Sequence, residues 1–272
     1  MSKGFLGGLL KGRSKKLGLA LGGGGAKGSV HIGALRAFAE EGITFDVVAG
    51  TSIGSIVGCL YACGYSWREI EGVISSSALT DVKEMLASRM MGKGLDVLVE
   101  GMMGKKEFED LKLPFAAVAV DLDSGEELVF TKGNLVKSVA ASCAIQPYFT
   151  AVEVEGRKCV DGAYRNITPC DAAKGLGADF VIGIDLSNHR SSTVRSKKFL
   201  DEMYPNNGVP VCDPTAAGYE ACDFMLTPDL TPYSSTSFAK MGEMFDLGYF
   251  SAKEAMAEIK LRLTSERIRK FN

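Results

Sequence analysis

Residues 50–54 (G-T-S-I-G) contain the serine whose sequence context most clearly indicates a chemical role. An apolar run of strand residues, 45–49, precedes the motif, and a run with apolar residues at helical spacing follows it. On such a strand-to-helix turn the serine hydroxyl is exposed, and the flanking glycines, Gly50 and Gly54, leave room for neighbouring backbone. Ser52 is therefore a candidate nucleophile, although an ordinary glycine-rich turn with a serine as helix N-cap has the same sequence.

A second glycine-rich stretch, residues 22–28 (G-G-G-G-A-K-G), lies between a predicted strand at 17–21 and a predicted helix that ends near Glu40. Glycines let the backbone approach a ligand closely, and several N–H groups in such a loop can point at one spot. The positive end of the following helix dipole adds to this preference for negative charge. The stretch therefore suits an anion, either permanent or formed during a reaction.

Two kinds of anion fit the glycine-rich stretch. The dinucleotide fingerprint G-x-G-x-x-G is satisfied by Gly23, Gly25 and Gly28. That fingerprint also needs an acidic residue at the end of the second strand, whereas Asp46 lies near its start. Lys27 precedes the last glycine instead of following it, so the P-loop pattern fails. The better interpretation is an oxyanion hole made by the amides of residues 23–26 beside Ser52, with dinucleotide binding as the alternative.

A serine hydroxyl is a poor nucleophile until a neighbouring base takes its proton. Asp161 ends an apolar predicted strand and is followed by Gly162, which suits a general base, although turn aspartates that bind their own backbone look the same. His31 is better explained as a partly buried residue of the first helix. His189 fits the chain order Ser, Asp, His of α/β-hydrolases, but its polar surroundings predict an exposed loop. Two hypotheses therefore remain: a Ser52–Asp161–His189 triad, and a Ser52–Asp161 pair in which Asp161 is the base without a histidine.

The elements that must position these residues alternate between strands and helices, which is typical of an α/β fold with a mainly parallel sheet. Neighbouring parallel strands would bring the glycine loop and the Ser52 turn together at their carboxyl ends. We predict further strands at 115–120, 127–131, 152–155, 158–160, 179–186 and 222–226. We predict further helices at 66–78, with a Ser66–Glu69 capping box, at 81–91, 135–144, 193–203 and 238–263, the last interrupted near Gly248.

Composition excludes several functional classes. The chain has 272 residues and a formal charge of −2, which gives no reason to expect a nucleic-acid partner. Seven cysteines without a C-x-x-C pair indicate a reducing compartment and argue against disulfides and a zinc site. We expect neither a metal nor a cofactor. No apolar run reaches about 18 residues, the length that a membrane-spanning helix needs.

Two segments could contact lipid. Residues 1–16 are rich in lysine and arginine and predict a mobile basic tail or a weak contact with an anionic lipid surface. Residues 85–104 are rich in methionine and glycine, which fits either a loosely packed helical region or a flexible cap that touches acyl chains. We therefore expect a cytoplasmic protein with transient contact at the inner membrane surface.

The three motifs follow one another as G-G-G-x-[KR]-G, G-T-S-I-G and D-G-[GA], and this order resembles the patatin-like phospholipase family in its small bacterial form. The resemblance is close over residues 17–64 and 140–186. It implies a three-layer α/β/α fold and a serine–aspartate dyad without histidine. The family's nucleophile falls on Ser52 and its base on Asp161. Its oxyanion loop falls on Gly23, Gly24 and Gly25, with Lys27 at the basic position, and its supporting glycines fall on Gly28, Gly50, Gly54 and Gly162.

This resemblance also implies an activity: hydrolysis of lipid or lysophospholipid esters through an acyl-enzyme, as by a phospholipase A, a lysophospholipase or a general esterase. It places the motifs in residues 17–186 of a single domain, 17–272, whose remainder, 187–272, is a helical extension. The sequence departs from the family pattern at Lys27, where arginine is common, and at Ala163, where glycine is common. A catalytically silent lipid-binding module is a further alternative, against which the intact Ser52 and Asp161 argue.

Overall fold

The structure, a computed structural model, describes residues 15–75, 95–104, 106–146, 148–187 and 216–269, with side chains described as far as residue 264. Several predictions lie outside the described residues: the basic tail up to residue 14, the helices at 81–91 and 193–203, the first half of the methionine-rich segment, and His189. Within the described residues, no helix is both long and apolar enough to cross a membrane.

The described residues form a mixed sheet of eight strands, paired in the order β5-β6-β3-β2-β1-β7-β8, with β4 also paired to β3. The strands are β1 Leu17–Leu21, β2 Val47–Thr51, β3 Phe115–Asp121, β4 Glu127–Phe130, β5 Val152–Val154, β6 Arg157–Asp161, β7 Phe180–Ile184 and β8 Phe224–Leu226. The strands from β3 through β2, β1 and β7 to β8 are parallel, whereas β4, β5 and β6 pair antiparallel. The carboxyl ends of the parallel strands therefore share one edge.

Helices cover both faces of this sheet. They are α1 Ser29–Glu40, α2 Ile53–Ala62, α3 Trp67–Ser75, α4 Leu95–Met103, α5 Leu135–Ser142, α6 Cys170–Gly175, α7 Ala216–Ala221 and α8 Met241–Arg269. Alternate strand residues face opposite sides. Leu19 and Leu21 lie in the larger hydrophobic cluster with α1 to α5 and α8, and Ala20 lies in a second cluster with α6. The fold is thus the predicted three-layer α/β/α arrangement.

Most predicted elements are confirmed, with differences at their ends. The Ser66–Glu69 capping box is present, with the Glu69 side chain 2.8 Å from the Ser66 amide nitrogen. Strand β2 begins and ends two residues later than predicted, because its pairing continues through Gly50 with β1 and through Thr51 with β3. The short helices α6 and α7, of six residues each, are not predicted, because they are too short to show a helical period.

The predicted interruption of the last helix near Gly248 is wrong, because α8 is continuous through this residue. A Cβ atom built on Gly248 would lie 2.1 Å from the Val30 carbonyl oxygen, and one built on Gly33 would lie 1.9 Å from the Phe245 carbonyl oxygen. The two glycines therefore allow the backbones of α1 and α8 to touch. Gly248 reflects close helix packing and does not break the helix.

Gly248→Ala is expected to lower the free energy of unfolding by about 1–3 kcal/mol, because the new methyl group must push the two helices apart. Gly242→Ala, at the start of the same helix, is the matched control, since nothing lies within 4 Å of a Cβ built there. It should raise stability by about 0.4–1 kcal/mol, because alanine restricts the unfolded chain. Urea denaturation measures both variants, and equal effects would contradict the close packing at Gly248.

Candidate active site

Strand β3 brings the Ser52 turn and Asp161 together. Strand β2 pairs with β3 as far as Val118, and β6 pairs with it from Ala119 onwards. Strand β4 overlaps both of these pairings, so it occupies the opposite edge of β3. Strands β2 and β6 therefore meet end to end along one edge. The residue after Thr51 faces Asp161 across this junction, although the two are far apart in the sequence.

Ser52 lies on a strained turn between β2 and α2. Its φ of 55° and ψ of −129° are rare for a residue with a side chain and typically cost about 1–3 kcal/mol. The conformation persists because the neighbours fix its backbone on both sides. The Ser142 hydroxyl accepts from the Ser52 amide at 2.9 Å, and the Ser52 carbonyl accepts from the Ser55 amide and hydroxyl at 2.8 and 2.7 Å. The half-buried Ser52 hydroxyl is presented at the N-terminus of α2.

The glycines around the motifs stand where backbone segments touch. A Cβ atom on Gly50 would lie 2.3 Å from the Gly54 carbonyl oxygen, and one on Gly54 would lie 2.1 Å from the Leu21 carbonyl oxygen. On Gly162 it would lie 2.3 Å from the Val118 carbonyl oxygen. On Gly28 it would lie 2.3 Å from the Ile53 side chain. Side chains at these positions would force the turn, the sheet and α2 apart.

Asp161 is 1% exposed and lies at the end of β6. Burial raises the pKa of its carboxyl from the ordinary value of 3.8 to about 7, and the hydrogen bond from the Ala163 amide and the nearby Ser52 hydroxyl oppose this rise. The Ala163 amide lies 2.9 Å from Oδ1. Asp161 thus binds the backbone of its own turn, as a turn aspartate does. It also faces Ser52, as a general base for that serine must.

The C-terminal end of α5 supports both residues. Ser142 binds the Ser52 amide, and the Ala144 carbonyl accepts from the Asp161 amide at 3.2 Å. Thr51 adds a further tie, because its hydroxyl donates to the Asn166 carbonyl at 2.8 Å. Sequence reasoning assigned no role to Ser142. A serine in the last turn of a predicted apolar helix, within the family-like residues 141–144, is the signal that could have indicated one.

The glycine loop lies directly beside Ser52. A Cβ atom built on Gly23 would be 3.3 Å from the Cβ of Ser52 and 3.5 Å from that of Ala163. The loop, the serine turn and the segment after Asp161 therefore surround one small volume. Among the described non-glycine residues only Ser52 and Glu155 have positive φ, so alanine at position 163 fits without strain.

Not all amides of the glycine loop face this volume. Gly23 donates to the Ile167 carbonyl at 2.9 Å, and Ala26 donates to the Ser235 carbonyl at 2.8 Å. The prediction that all amides of residues 23–26 line an oxyanion hole is therefore wrong for these two. Across the described residues, the amides of Gly24 and Gly25 have no hydrogen-bond acceptor.

The remaining candidates are placed as follows. The Lys27 ammonium donates to the Leu186 carbonyl at 3.2 Å, which ties the glycine loop to the end of β7. Asp46 lies at the far end of the sheet, where its carboxylate accepts from the Leu17 amide at 2.7 Å, so it cannot serve as the ribose ligand of a dinucleotide site. His31 is fully buried, not partly buried as predicted, and its ring lies against the Gly22 carbonyl at the end of β1.

Comparison with known proteins places this geometry in context. The protein-family model for patatin-like phospholipase matches residues 19–174 of this chain. Patatin-like phospholipase domain-containing protein 7 of Mus musculus is 35% identical over 181 residues, which cover 62% of this chain and 13% of that protein. An uncharacterised NTE family protein of Mycobacterium bovis is 31% identical over 187 residues, which cover 67% of this chain and 52% of the relative. The chain thus spans only a small part of the mammalian relative.

Solved structures share the fold at low sequence identity. VipD from Legionella pneumophila superposes with a TM-score of 0.53 at 13% identity, over 92% of this chain and 67% of that one. Human GIVD cytosolic phospholipase A2 also superposes with a TM-score of 0.53 at 13% identity, over 92% of this chain and 60% of that one. At this level of identity the likeness concerns the architecture.

Proposed function

Since the chain belongs to the patatin-like phospholipase family, we propose that it hydrolyses carboxylic esters of lipids or lysophospholipids through an acyl-enzyme on Ser52. The observation that carries this proposal is the junction on β3. There a strained serine turn faces a buried carboxylate whose pKa is about 7, and the glycine loop next to Ser52 carries two amides, those of Gly24 and Gly25, that have no acceptor among the described residues. The relationship to patatin-like phospholipase domain-containing proteins supports a lipid substrate.

In the first half of the reaction, the Ser52 hydroxyl attacks the ester carbonyl carbon while Asp161 accepts its proton. The carbonyl oxygen becomes negatively charged in the tetrahedral intermediate. The amides of Gly24 and Gly25 and the N-terminus of α2 would stabilise this charge. A pair of such donors is worth several kcal/mol, since one donor contributes about 3–4 kcal/mol. The alcohol then leaves with the proton held by Asp161, and the acyl group stays on Ser52.

In the second half, a water molecule replaces the alcohol. Asp161 takes a proton from this water, which attacks the acyl carbonyl, and the same amides stabilise the second oxyanion. Collapse of the intermediate breaks the bond to Ser52 and releases the fatty acid, while Asp161 returns the proton to the serine oxygen. One carboxylate with a pKa near neutrality can both accept and return protons at pH 7.

Covalent labelling tests the proposal directly. Treatment with a fluorophosphonate is expected to add one phosphonyl group per chain, located on Ser52 by peptide mass spectrometry. Ser52→Ala should abolish the adduct, whereas Ser124→Ala, at an exposed turn serine, should label like the wild type. Release of fatty acid from a lysophospholipid, measured beside a p-nitrophenyl ester, then distinguishes a lysophospholipase from a general esterase.

The alternatives predict different results in the same experiment. A nucleotide-binding protein would give no adduct and would be stabilised against heat by a dinucleotide. A catalytically silent lipid-binding module would give neither an adduct nor fatty acid release. Either result would overturn the proposal.

A further inference from the structure

His31 is a fully buried titratable residue for which the proposed mechanism has no use. Its Nε2 lies 2.8 Å from the Gly22 carbonyl oxygen. A carbonyl only accepts hydrogen bonds, so Nε2 must carry the hydrogen, and Nδ1 then carries a lone pair. Nδ1 is buried and has no hydrogen-bond partner among the described residues. Burial lowers the pKa of this imidazole from 6.5 to about 4, so it is neutral at pH 7.

The carbonyl that His31 binds belongs to the peptide unit between Gly22 and Gly23. The other end of this unit, the Gly23 amide, donates to the Ile167 carbonyl at 2.9 Å. The preceding amide, that of Gly22, donates to the Ile184 carbonyl at 3.0 Å. The peptide unit is therefore fixed at both of its polar ends. His31, from α1, fixes the carbonyl end, and the Ile167 carbonyl fixes the amide end.

This fixed unit is followed at once by the two amides that the mechanism uses. Beyond them, the Ala26 amide is fixed by the Ser235 carbonyl at 2.8 Å, so the Gly24 and Gly25 amides lie between two anchored peptide units. Glycine has the widest conformational freedom of any residue, so a glycine run does not hold a shape unaided. Amide direction within the run therefore depends on its anchors.

We propose that His31 is a positioning residue for the oxyanion hole: its Nε2–H fixes the Gly22 carbonyl and thereby aims the amides of Gly24 and Gly25 at the developing oxyanion. This inference rests on the proposed function. The single hydrogen bond explains why a polar ring is tolerated in the core although its second nitrogen has no partner among the described residues, which costs free energy.

Two substitutions separate positioning from packing. In His31→Gln the side-chain amide nitrogen can take the place of Nε2–H, whereas in His31→Leu no donor is present. We expect His31→Leu to lower kcat for a short-chain p-nitrophenyl ester about 10–100-fold with KM within about twofold, because misdirected donors lose transition-state stabilisation. We expect His31→Gln to stay within about threefold of wild-type kcat.

Phe38→Leu, at a buried position on the same helix, is the matched control for a loss of stability alone. It should lower the melting temperature without changing kcat. If His31→Leu does not fold, His31→Asn takes its place, because its shorter amide cannot reach the Gly22 carbonyl. Equal kcat for the glutamine and leucine or asparagine variants would overturn the positioning role.

A spectroscopic measurement keeps the inference testable independently of turnover. In the wild type, nitrogen NMR of the His31 ring should show a neutral imidazole with hydrogen on Nε2. The backbone amide resonances of Gly23, Gly24 and Gly25 should shift in His31→Leu and stay near wild-type positions in His31→Gln. If the wild type hydrolyses no ester, the proposed function fails while these shifts still test the anchor. Unshifted loop resonances in His31→Leu would overturn the inference whatever the activity.

Discussion

Replacing Ser52 with alanine is expected to lower kcat for a p-nitrophenyl ester by about 10⁴-fold or more, because no acyl-enzyme can then form. Asp161→Asn should cause a loss of similar size, since the amide has nearly the same shape as the carboxyl but cannot accept the serine proton. The double variant should be little worse than either single variant, because the two groups act in one step. Steady-state kinetics on purified variants measures all three.

The triad hypothesis gives the control for this experiment. His189→Ala should keep nearly full activity if Asp161 alone is the base, whereas a loss comparable to that of Asp161→Asn would establish a triad. Melting temperatures show whether each variant is folded. Wild-type activity in Ser52→Ala would remove the serine from the mechanism altogether.

The second large effect concerns pH. Asp161 must be ionised to accept a proton, and its pKa is about 7. The value of kcat/KM should therefore fall about tenfold for each pH unit below 7, reaching about 100-fold at pH 5, since this ratio reports the free enzyme. A pH profile from 5 to 9 measures the effect. A flat profile across neutral pH would show that the base has an ordinary carboxyl pKa or is another group.

Stability should change with pH in the opposite direction. The folded pKa of Asp161 lies above its ordinary value of 3.8, so the folded state holds the proton more tightly than the unfolded state. The contribution of this residue to stability is fully present below about pH 4 and is lost as pH rises towards 7. Asp161→Asn avoids the loss and should be more stable than the wild type at pH 8 by up to about 4 kcal/mol.

Local chemistry made much of the site predictable. The glycine loop and the serine turn can be recognised because only certain residues tolerate tight turns and close backbone approach. The capping box of Ser66 and Glu69 is predictable for the same reason, since its hydrogen bonds join residues three apart. Strand β1 is predicted to the residue, because a short apolar run between polar and glycine-rich segments leaves little choice.

The incorrect predictions concern contacts between distant segments. Whether Gly248 breaks a helix depends on the backbone of α1, which passes more than two hundred positions earlier in the chain. Which loop amides have no acceptor among the described residues depends on the carbonyls of Ile167 and Ser235, and those contacts leave no local pattern. The sequence of α1 likewise does not show how completely the core covers this helix, in which His31 is fully buried.

The shared edge of β3 has a consequence for how such chains can diverge. Val118 pairs with the strand before the serine and Ala119 with the strand that ends in the aspartate, so no spare residue separates the two pairings. One inserted residue would lengthen this stretch by about 3.3 Å and would turn the following side chains to the opposite face. Insertions and deletions can accumulate in the connecting loops, but in the middle of this strand a change of a single residue would separate nucleophile and base.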